Sequence, residues 1–206
     1  MSKVERGGRG KLAPDWSFDI AAFYNRYRNL ATNNVVEAGP LYSSNAVQPI
    51  GLRIAVEIGN AAQAERKGVE LLVRGSPAPW WQLEASYSFL DLDQTLTIPP
   101  ALATPLIDAG LSARHQVRLR NTFEVTPDLQ LSSFAHHVSA APAGGREAYT
   151  KLDMRLTWSP MPNLEIAAVG ADLLKRRQIE FRQNIYAPVA QLAVPRRGYV
   201  EARVRF

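Results

Sequence analysis

Apolar side chains recur at every second position through most of this chain, the period of a strand with two chemically different faces. In LRIAVEI, Leu52, Ile54, Val56 and Ile58 share one side, and Arg53, Ala55 and Glu57 share the other. WWQLEASYSF sets Trp81, Leu83, Ala85, Tyr87 and Phe89 against Trp80, Gln82, Glu84, Ser86 and Ser88. QVRLRNTFEV opposes Val117, Leu119, Phe123 and Val125 to Arg118, Arg120, Thr122 and Glu124, with Asn121 spoiling the apolar side. KLDMRLTW places Leu152, Met154, Leu156 and Trp158 opposite Lys151, Asp153, Arg155 and Thr157. YVEARVRF places Val200, Ala202, Val204 and Phe206 opposite Tyr199, Glu201, Arg203 and Arg205. Weaker alternation fills WSFDIAAFYNRYRNL from Trp16, GVELLVR from Gly68, LQLSSFAHHV from Leu129 and LEIAAVGADLL from Leu164. No stretch of about three turns carries an apolar stripe at helical spacing.

The connections alternate in length. RGSPAPW, VTPDL and SPMPNL are short, proline-containing reversals that read as hairpins. Long polar or Pro/Gly-rich stretches lie between them, roughly Ala31 to Pro49, Gln94 to Ala113, Ala140 to Glu147 and Leu173 to Arg196. Short turns at one end and long loops at the other describe an all-β, antiparallel up-and-down meander. The reading gives about eight strands, the first rising from Trp16, the second running from about Gly51 to Arg74 with an irregularity near GNAAQ, and the last ending at Phe206. Residues 1–13 read as a basic, poorly ordered N-terminal remnant, and residues 14–206 as part of a transmembrane barrel. An open curved sheet is expected in preference to a small closed barrel, and pairing of Trp16–Leu30 with Tyr199–Phe206 would refute it.

Two features favour a membrane over a soluble sandwich, whose sheets also alternate. The polar sides carry full charges on strands of about ten residues, the length a tilted strand needs to cross a bilayer. All four tryptophans, Trp16, Trp80, Trp81 and Trp158, lie beside short turns, as an aromatic girdle at a lipid–water interface requires. Core packing is the alternative for each one alone. Tyr24, Tyr27, Tyr149 and Tyr199 are assigned to the opposite girdle.

Composition narrows the rest. With 206 residues, 46% apolar and 21% charged, the chain is neither disordered nor collagen-like. No run approaches the ~18 apolar residues of a spanning helix, and the first residues lack the apolar core of a signal peptide. The net charge is +5, but the basic opening has no aromatic stacking platform, so no nucleic acid is expected. The absence of cysteine removes thiolate metal sites and cysteine nucleophiles. His136 and His137 are neighbours on a strand and point to opposite faces, so they do not share an ion. His115 reads as a rim residue. No nucleophile elbow, zinc helix, phosphate loop or dinucleotide fingerprint occurs, and neither an enzyme nor a cofactor is expected.

The ordered segments FDIAAFYNRYRNL, KGVELLVRGSPAPWWQLEASYSFLD, RHQVRLRNTF, YTKLDMRLTWSPMPNLEIAAVGADLL and VPRRGYVEARVRF, ending on Phe206, together resemble the C-terminal barrel strands of TonB-dependent outer-membrane receptors. The resemblance covers nearly the whole chain from about Pro14. It implies a barrel of twenty-two strands around a plug domain, Gram-negative outer-membrane residence, and TonB-driven uptake of scarce ligands such as siderophores or other metal chelates. Plug, TonB-contacting segment and most strands fall outside the resemblance, so the chain reads as a C-terminal fragment, whose partners include the plug and TonB only where the remaining part is present. The resemblance further implies that Tyr199, Val200, Ala202, Val204 and Phe206 form the signal read by the barrel-assembly machinery, through edge-to-edge strand pairing. Arg118, Arg120, Glu124, Arg155, Glu201, Arg203 and Arg205 become lumen-facing charges, which pair with each other, the plug and water more readily than they guide an anionic ligand. Ligand contacts would come from loops such as Val35 to Tyr42, Thr97 to Asp108 and Phe181 to Ala193. The rival readings are an autonomous small outer-membrane barrel with a structural or adhesive role and a soluble barrel that binds a small apolar ligand.

Overall fold

The computed structural model describes residues 2–42, 48–105, 109–141, 146–175, 177–179 and 193–205. Twelve strands occur among them: β1 (Ser2–Ala13), β2 (Trp16–Leu41), β3 (Gly51–Ala78), β4 (Trp81–Leu96), β5 (Ala103–Pro105), β6 (His115–Thr126), β7 (Leu129–Val138), β8 (Tyr149–Met161), β9 (Leu164–Ala171), β10 (Arg177–Ile179), β11 (Ala193–Pro195) and β12 (Arg197–Val204). The main sheet runs β1-β2-β3-β4-β6-β7-β8-β9-β12, with β5 beside β2, while β10 and β11 form a separate ribbon. The sheet is therefore an unclosed antiparallel meander with β1 and β12 at its ends. Among the described residues β2 pairs with β1, β3 and β5, and β12 pairs with β9, so the sheet is the open one and not the small closed barrel.

All eight strands read from the alternation are present. The ninth long strand, β1, corrects the disordered remnant assigned to residues 1–13. Its sequence, SKVERGGRGKLA, lacks the apolar alternation that marks the others, and what holds it is the backbone ladder to β2. The turn after it carries the missing signal. Four two-residue reversals, Pro14–Asp15, Pro79–Trp80, Pro127–Asp128 and Pro162–Asn163, close the short end of the meander. Proline presets the φ of the first turn position and needs no N–H partner there. Pro14–Asp15 repeats the other three, so it marks a strand on each side.

The chain divides into two compact units, one of Met1–Val4, Tyr24–Lys67 and Leu92–Ala109, the other of Glu5–Phe23, Gly68–Asp91 and Gly110–Phe206. In the first unit a buried polar pin joins β2 to β3. Thr32 is fully buried, its hydroxyl donates to Asn34 Oδ1 at 2.7 Å, and it accepts the Ala61 N–H at 3.1 Å. Gly59 is the reason Asn34 fits, because a Cβ there would collide with the Asn34 amide. Leu52, Ile54, Val56 and Ile58 belong to this unit and are each more than half exposed. β3 has 28 residues, far more than the ~10 a tilted strand needs to cross a bilayer.

The second unit holds the regular sheet. Register from β4 to β12 gives each face its identity. Gln82, Glu84, Ser86 and Ser88 align with Thr122, Arg120, Arg118 and Gln116, then with Ser132, Phe134, His136 and Val138, and then with Arg155, Asp153, Lys151 and Tyr149. The alternate rows carry Leu83, Ala85, Leu119, Phe123, Leu131, Ala135, Met154, Leu156, Ile166, Ala168, Val200 and Ala202. The first set is the polar face and the second the apolar face. The buried apolar residues described are mostly alanines, and Ala113, Val138 and Tyr149 make the one cluster of this unit's side chains. Leu119, Leu156, Val200 and Val204 are all substantially exposed, and Leu83 is half-buried.

Trp16 lies against Gly75, where a Cβ would enter the indole ring. An aromatic covering a strand glycine recovers apolar contact that glycine lacks. Replacing Gly75 with valine should displace Trp16 and destabilise the sheet by about 1–3 kcal/mol, the usual cost of overpacking. Urea unfolding followed by Trp16 fluorescence, in a background without the other tryptophans, measures it.

Candidate functional site

The two faces of the second unit are the chemistry-bearing surfaces. On the polar face Arg155 is the organising cation. Its guanidinium donates from Nε to Thr157 Oγ1 at 3.1 Å, from one terminal nitrogen to Glu165 Oε1 at 3.1 Å, and from the other to Glu201 Oε1. Register explains the geometry: Arg155 faces Val169 on β9, which puts Glu165 on the same face one strand away and Glu201 on the same face two strands away, on β12. The planar guanidinium presents its donors in a rigid fork aimed at both carboxylates, where a lysine ammonium is a flexible point charge. Further along this face the Arg120 guanidinium sits over the Phe134 ring, 5.6 Å from its centre. Arg74 Nε donates to Glu84 Oε2 at 2.6 Å. Lys151 Nζ lies 3.9 Å from Asp172 Oδ1, and Asp172, with φ of 55°, gives its N–H to Asp153 Oδ1 at 2.8 Å. Arg118 aligns with Ser86 and His136 in the same row, and Glu124 with Gln130. The structure thus brings Arg155 and Glu201 into contact, while Arg203 and Arg205 line a shallow groove with Glu165 and Asn163 near the β8–β9 turn.

On the apolar face the tryptophans gather at the short-turn end. Trp80 and Trp81 stack with ring centres 6.3 Å apart, and Trp81 stacks on Phe123 at 5.6 Å. Asn121, the polar intruder in the alternation, accepts the Trp81 Nε1–H at 3.1 Å and gives its own amide to Ser133 at 3.3 Å. Trp158 donates to Asp128 Oδ2 at 3.2 Å across to the next turn. Trp16 opens β2 directly after Pro14–Asp15.

Sequence reasoning missed the opposite row of this face. Tyr87 and Phe89 flank the His115 ring, with centres 6.1 and 5.2 Å apart, and Tyr87 Oη is 2.9 Å from His115 Nδ1. His137, aligned with Val117 and Thr150, pairs its Nδ1 with the Thr150 hydroxyl at 2.9 Å. Of the tyrosines expected there, Tyr149 is buried and Tyr199 aligns with Val169 on the Arg155 face, while Tyr24 and Tyr27 belong to the first unit. Alternation of QVRLRN already puts His115 on the Val117 side, so parity was the available signal. His136 and His137 do fall on opposite faces. Val200, Ala202 and Val204 keep one side of β12, and Tyr199 the other. Phe206, residues 106–108 and residues 181–192 lie outside the described residues.

Asp128 adds a pH-dependent contact at the β6–β7 turn. The Thr126 hydroxyl, at 2.6 Å, and then the Trp158 N–H hold its carboxyl below the usual aspartate value. A lowered carboxylate contributes stability above its unfolded pKa and loses it as pH falls through the folded value. In a variant keeping Trp158 alone, emission should stay level down through the ordinary aspartate range and change only below it. Asp128→Asn should abolish that transition.

A family profile described as "TonB dependent receptor-like, beta-barrel" matches residues 7–172. The chain belongs to that family. Solved structures agree in fold. The siderophore receptor PiuA from Acinetobacter baumannii superposes with a TM-score of 0.69 at 15% identity, covering 97% of this chain and 27% of that one. The ferric yersiniabactin uptake receptor FyuA from Yersinia pestis gives 0.68 at 19% identity, covering 99% and 29%. The FrpB iron transporter from Neisseria meningitidis gives 0.69 at 14%, covering 99% and 31%. This chain therefore spans under a third of the length of these relatives. No curated protein matches it. The TonB-dependent receptor barrel fold accounts for the sheet as it stands: an open antiparallel meander with alternating faces and short turns at one end.

Proposed function

We propose that this chain is membrane-embedded barrel wall from an outer-membrane receptor that takes up a scarce iron chelate of the siderophore class, driven through TonB. The observation that carries the reading is an exposed apolar face bounded by two aromatic rows, on a sheet whose relatives are siderophore and iron receptors. In water, contiguous exposed apolar surface of this extent is rare in a folded monomer. Lipid removes the penalty. Trp81 and Phe89 stand eight positions apart on β4, about 27 Å along the strand and ~20 Å in height at a tilt of ~40°, close to the ~25 Å apolar band of outer-membrane barrels. Trp16, Trp80, Trp81 and Trp158 form one girdle, and Tyr87, Phe89 and His115 the other.

The polar face then fronts the lumen. Arg118, Arg120, Glu124, Arg155, Glu201, Arg203 and Arg205 supply fixed charge there. The Arg155 network ties β8, β9 and β12 together, and the remaining cations meet water, a plug or an anionic ligand in transit. The final strand, with Val200, Ala202 and Val204 on its lipid side and Tyr199 on the other, supplies the assembly signal completed by Phe206. Plug and TonB contact would come from polypeptide outside these residues.

The test is uptake of a radiolabelled ferric siderophore by cells dependent on that iron source. Removing the coding region should lower uptake to background. The intact gene should restore it, and a gene lacking β8 to β12 should not. Unchanged uptake of every ferric chelate offered would overturn the reading.

A further inference from the structure

Within the first unit, the start of β3 presents an open edge. β4 ends at Leu96, and the next residue, Thr97, gives its N–H to the Ala61 carbonyl at 2.8 Å. The chain then leaves β3: the Leu102 carbonyl accepts the Val35 N–H at 2.8 Å, and β5 pairs with Thr32–Asn34 of β2. In an antiparallel meander β4 therefore lies beside the part of β3 that follows Ala61, and among the described residues no strand flanks Gly51–Asn60 on the side away from β2. The Ile50 N–H goes to the Leu41 carbonyl of β2. By the period of two along a strand, the backbone groups of Gly51, Arg53, Ala55, Glu57 and Gly59 point to the other, open side. The close approach of the Asn34 side chain to Gly59 agrees, since side chains come nearest across pairs that share no hydrogen bonds.

An open edge with exposed aliphatic side chains is a template for a further strand. What singles out this edge is its symmetry. Read outward from Ala55 in both directions, LRIAVEI sets aliphatic against aliphatic and base against acid. We infer that the edge from Gly51 to Gly59 pairs with the same edge of a second copy of this chain, antiparallel and centred on Ala55. A twofold axis then passes between the two Ala55 residues, and the same patch serves both copies. Backbone hydrogen bonds are exchanged at Ala55 and between Arg53 and the partner's Glu57, as the outward direction of these groups requires. On one face Leu52 meets the partner's Ile58, and Ile54 meets the partner's Val56. On the other, Arg53 meets the partner's Glu57, and the axis repeats each contact. Within one copy Arg53 stands 3.8 Å from Glu37, with both side chains nearly two-thirds exposed, so its guanidinium keeps donors for a second carboxylate. A slip of two residues either way would put Arg53 opposite Ala55 or Gly59, and parallel pairing in register would put like charges side by side. Opposite charge selects the register centred on Ala55.

The chain has no cysteine, so one introduced thiol reports one contact. Hydrogen-bonded antiparallel pairs hold their Cα atoms about 5.5 Å apart, within disulfide reach. In detergent micelles under mild oxidation, the full chain with Ala55→Cys should crosslink into dimers. Gly51→Cys, where a side chain meets open space, should not, because the axis places the two thiols at opposite ends of the paired edge. In the Ala55→Cys background, Arg53→Glu and Glu57→Arg should each lower dimer formation about tenfold or more, and the two together should restore it. Glu57→Arg leaves the Arg53–Glu37 contact intact. Should a reversal lose the β signature in circular dichroism, Glu57→Gln replaces it, with a smaller loss expected. Sedimentation of the unsubstituted chain should give the mass of a dimer. Equal crosslinking of the two thiols overturns the inference, as does a monomer at every concentration, or single and double reversals that behave alike.

Discussion

Replacing Leu119 with arginine is expected to block insertion of this sheet into a bilayer. Leu119 sits opposite Ala85 and Ala135, midway between the tryptophan row and the Tyr87–His115 row, and its side chain is exposed. A cation at the midplane of a barrel's lipid face costs about 2–4 kcal/mol, roughly thirty- to several-hundred-fold in the folding equilibrium. Gln130→Arg is the control. It lies on the polar face opposite Glu124, where water and a carboxylate receive the charge, and its effect should be small. Urea titration of both variants in lipid vesicles measures the difference. Equal small effects would mean that the apolar face meets something other than lipid.

The second large effect is expected at Arg155. Removing its guanidinium by Arg155→Ala takes from Glu165 and Glu201 the cation they share, and both are only partly exposed. Loss of charge-assisted bonds of this kind costs about 1.5–3 kcal/mol when fully shielded, so a lower value within or just below that range is expected here. Arg155→Lys should recover only part of it, because one ammonium cannot hold both carboxylates in the forked geometry. Adding Glu165→Gln and Glu201→Gln to Arg155→Ala should restore most of the lost stability by removing the repulsion. A cycle of these variants, read by urea unfolding, isolates the coupling. Additive effects would show that the network is not a unit.

Much of this architecture is written in the side-chain period. Alternation located the eight strands from β2 onward, since each had to present one face to an apolar medium and one to a polar one. The proline-containing reversals fixed which ends were short. β1 escaped because a run of glycines and charges has no period to read, although Pro14–Asp15 repeated the turn chemistry found at the other three. The Arg155 contact with Glu165 and Glu201 could not be foreseen residue by residue, since it depends on the β8–β9 register, which shifts between Trp158 and Met161. The far aromatic row of Tyr87, Phe89 and His115 was legible from parity alone, since QVRLRN sets His115 on the Val117 side just as YVEARVRF sets Tyr199 opposite Val200.

The amino-acid order by itself determined that this protein is a two-faced antiparallel meander with tryptophans at the short turns, because periodicity and turn residues act locally and need no partner. Only the tertiary structure decided which strands adjoin, that β1 and β12 end the sheet, and that Leu52 to Ile58 fall in a different compact unit from Gly110–Phe206. Those facts depend on hydrogen bonds between residues distant in the chain, whose register no local pattern encodes.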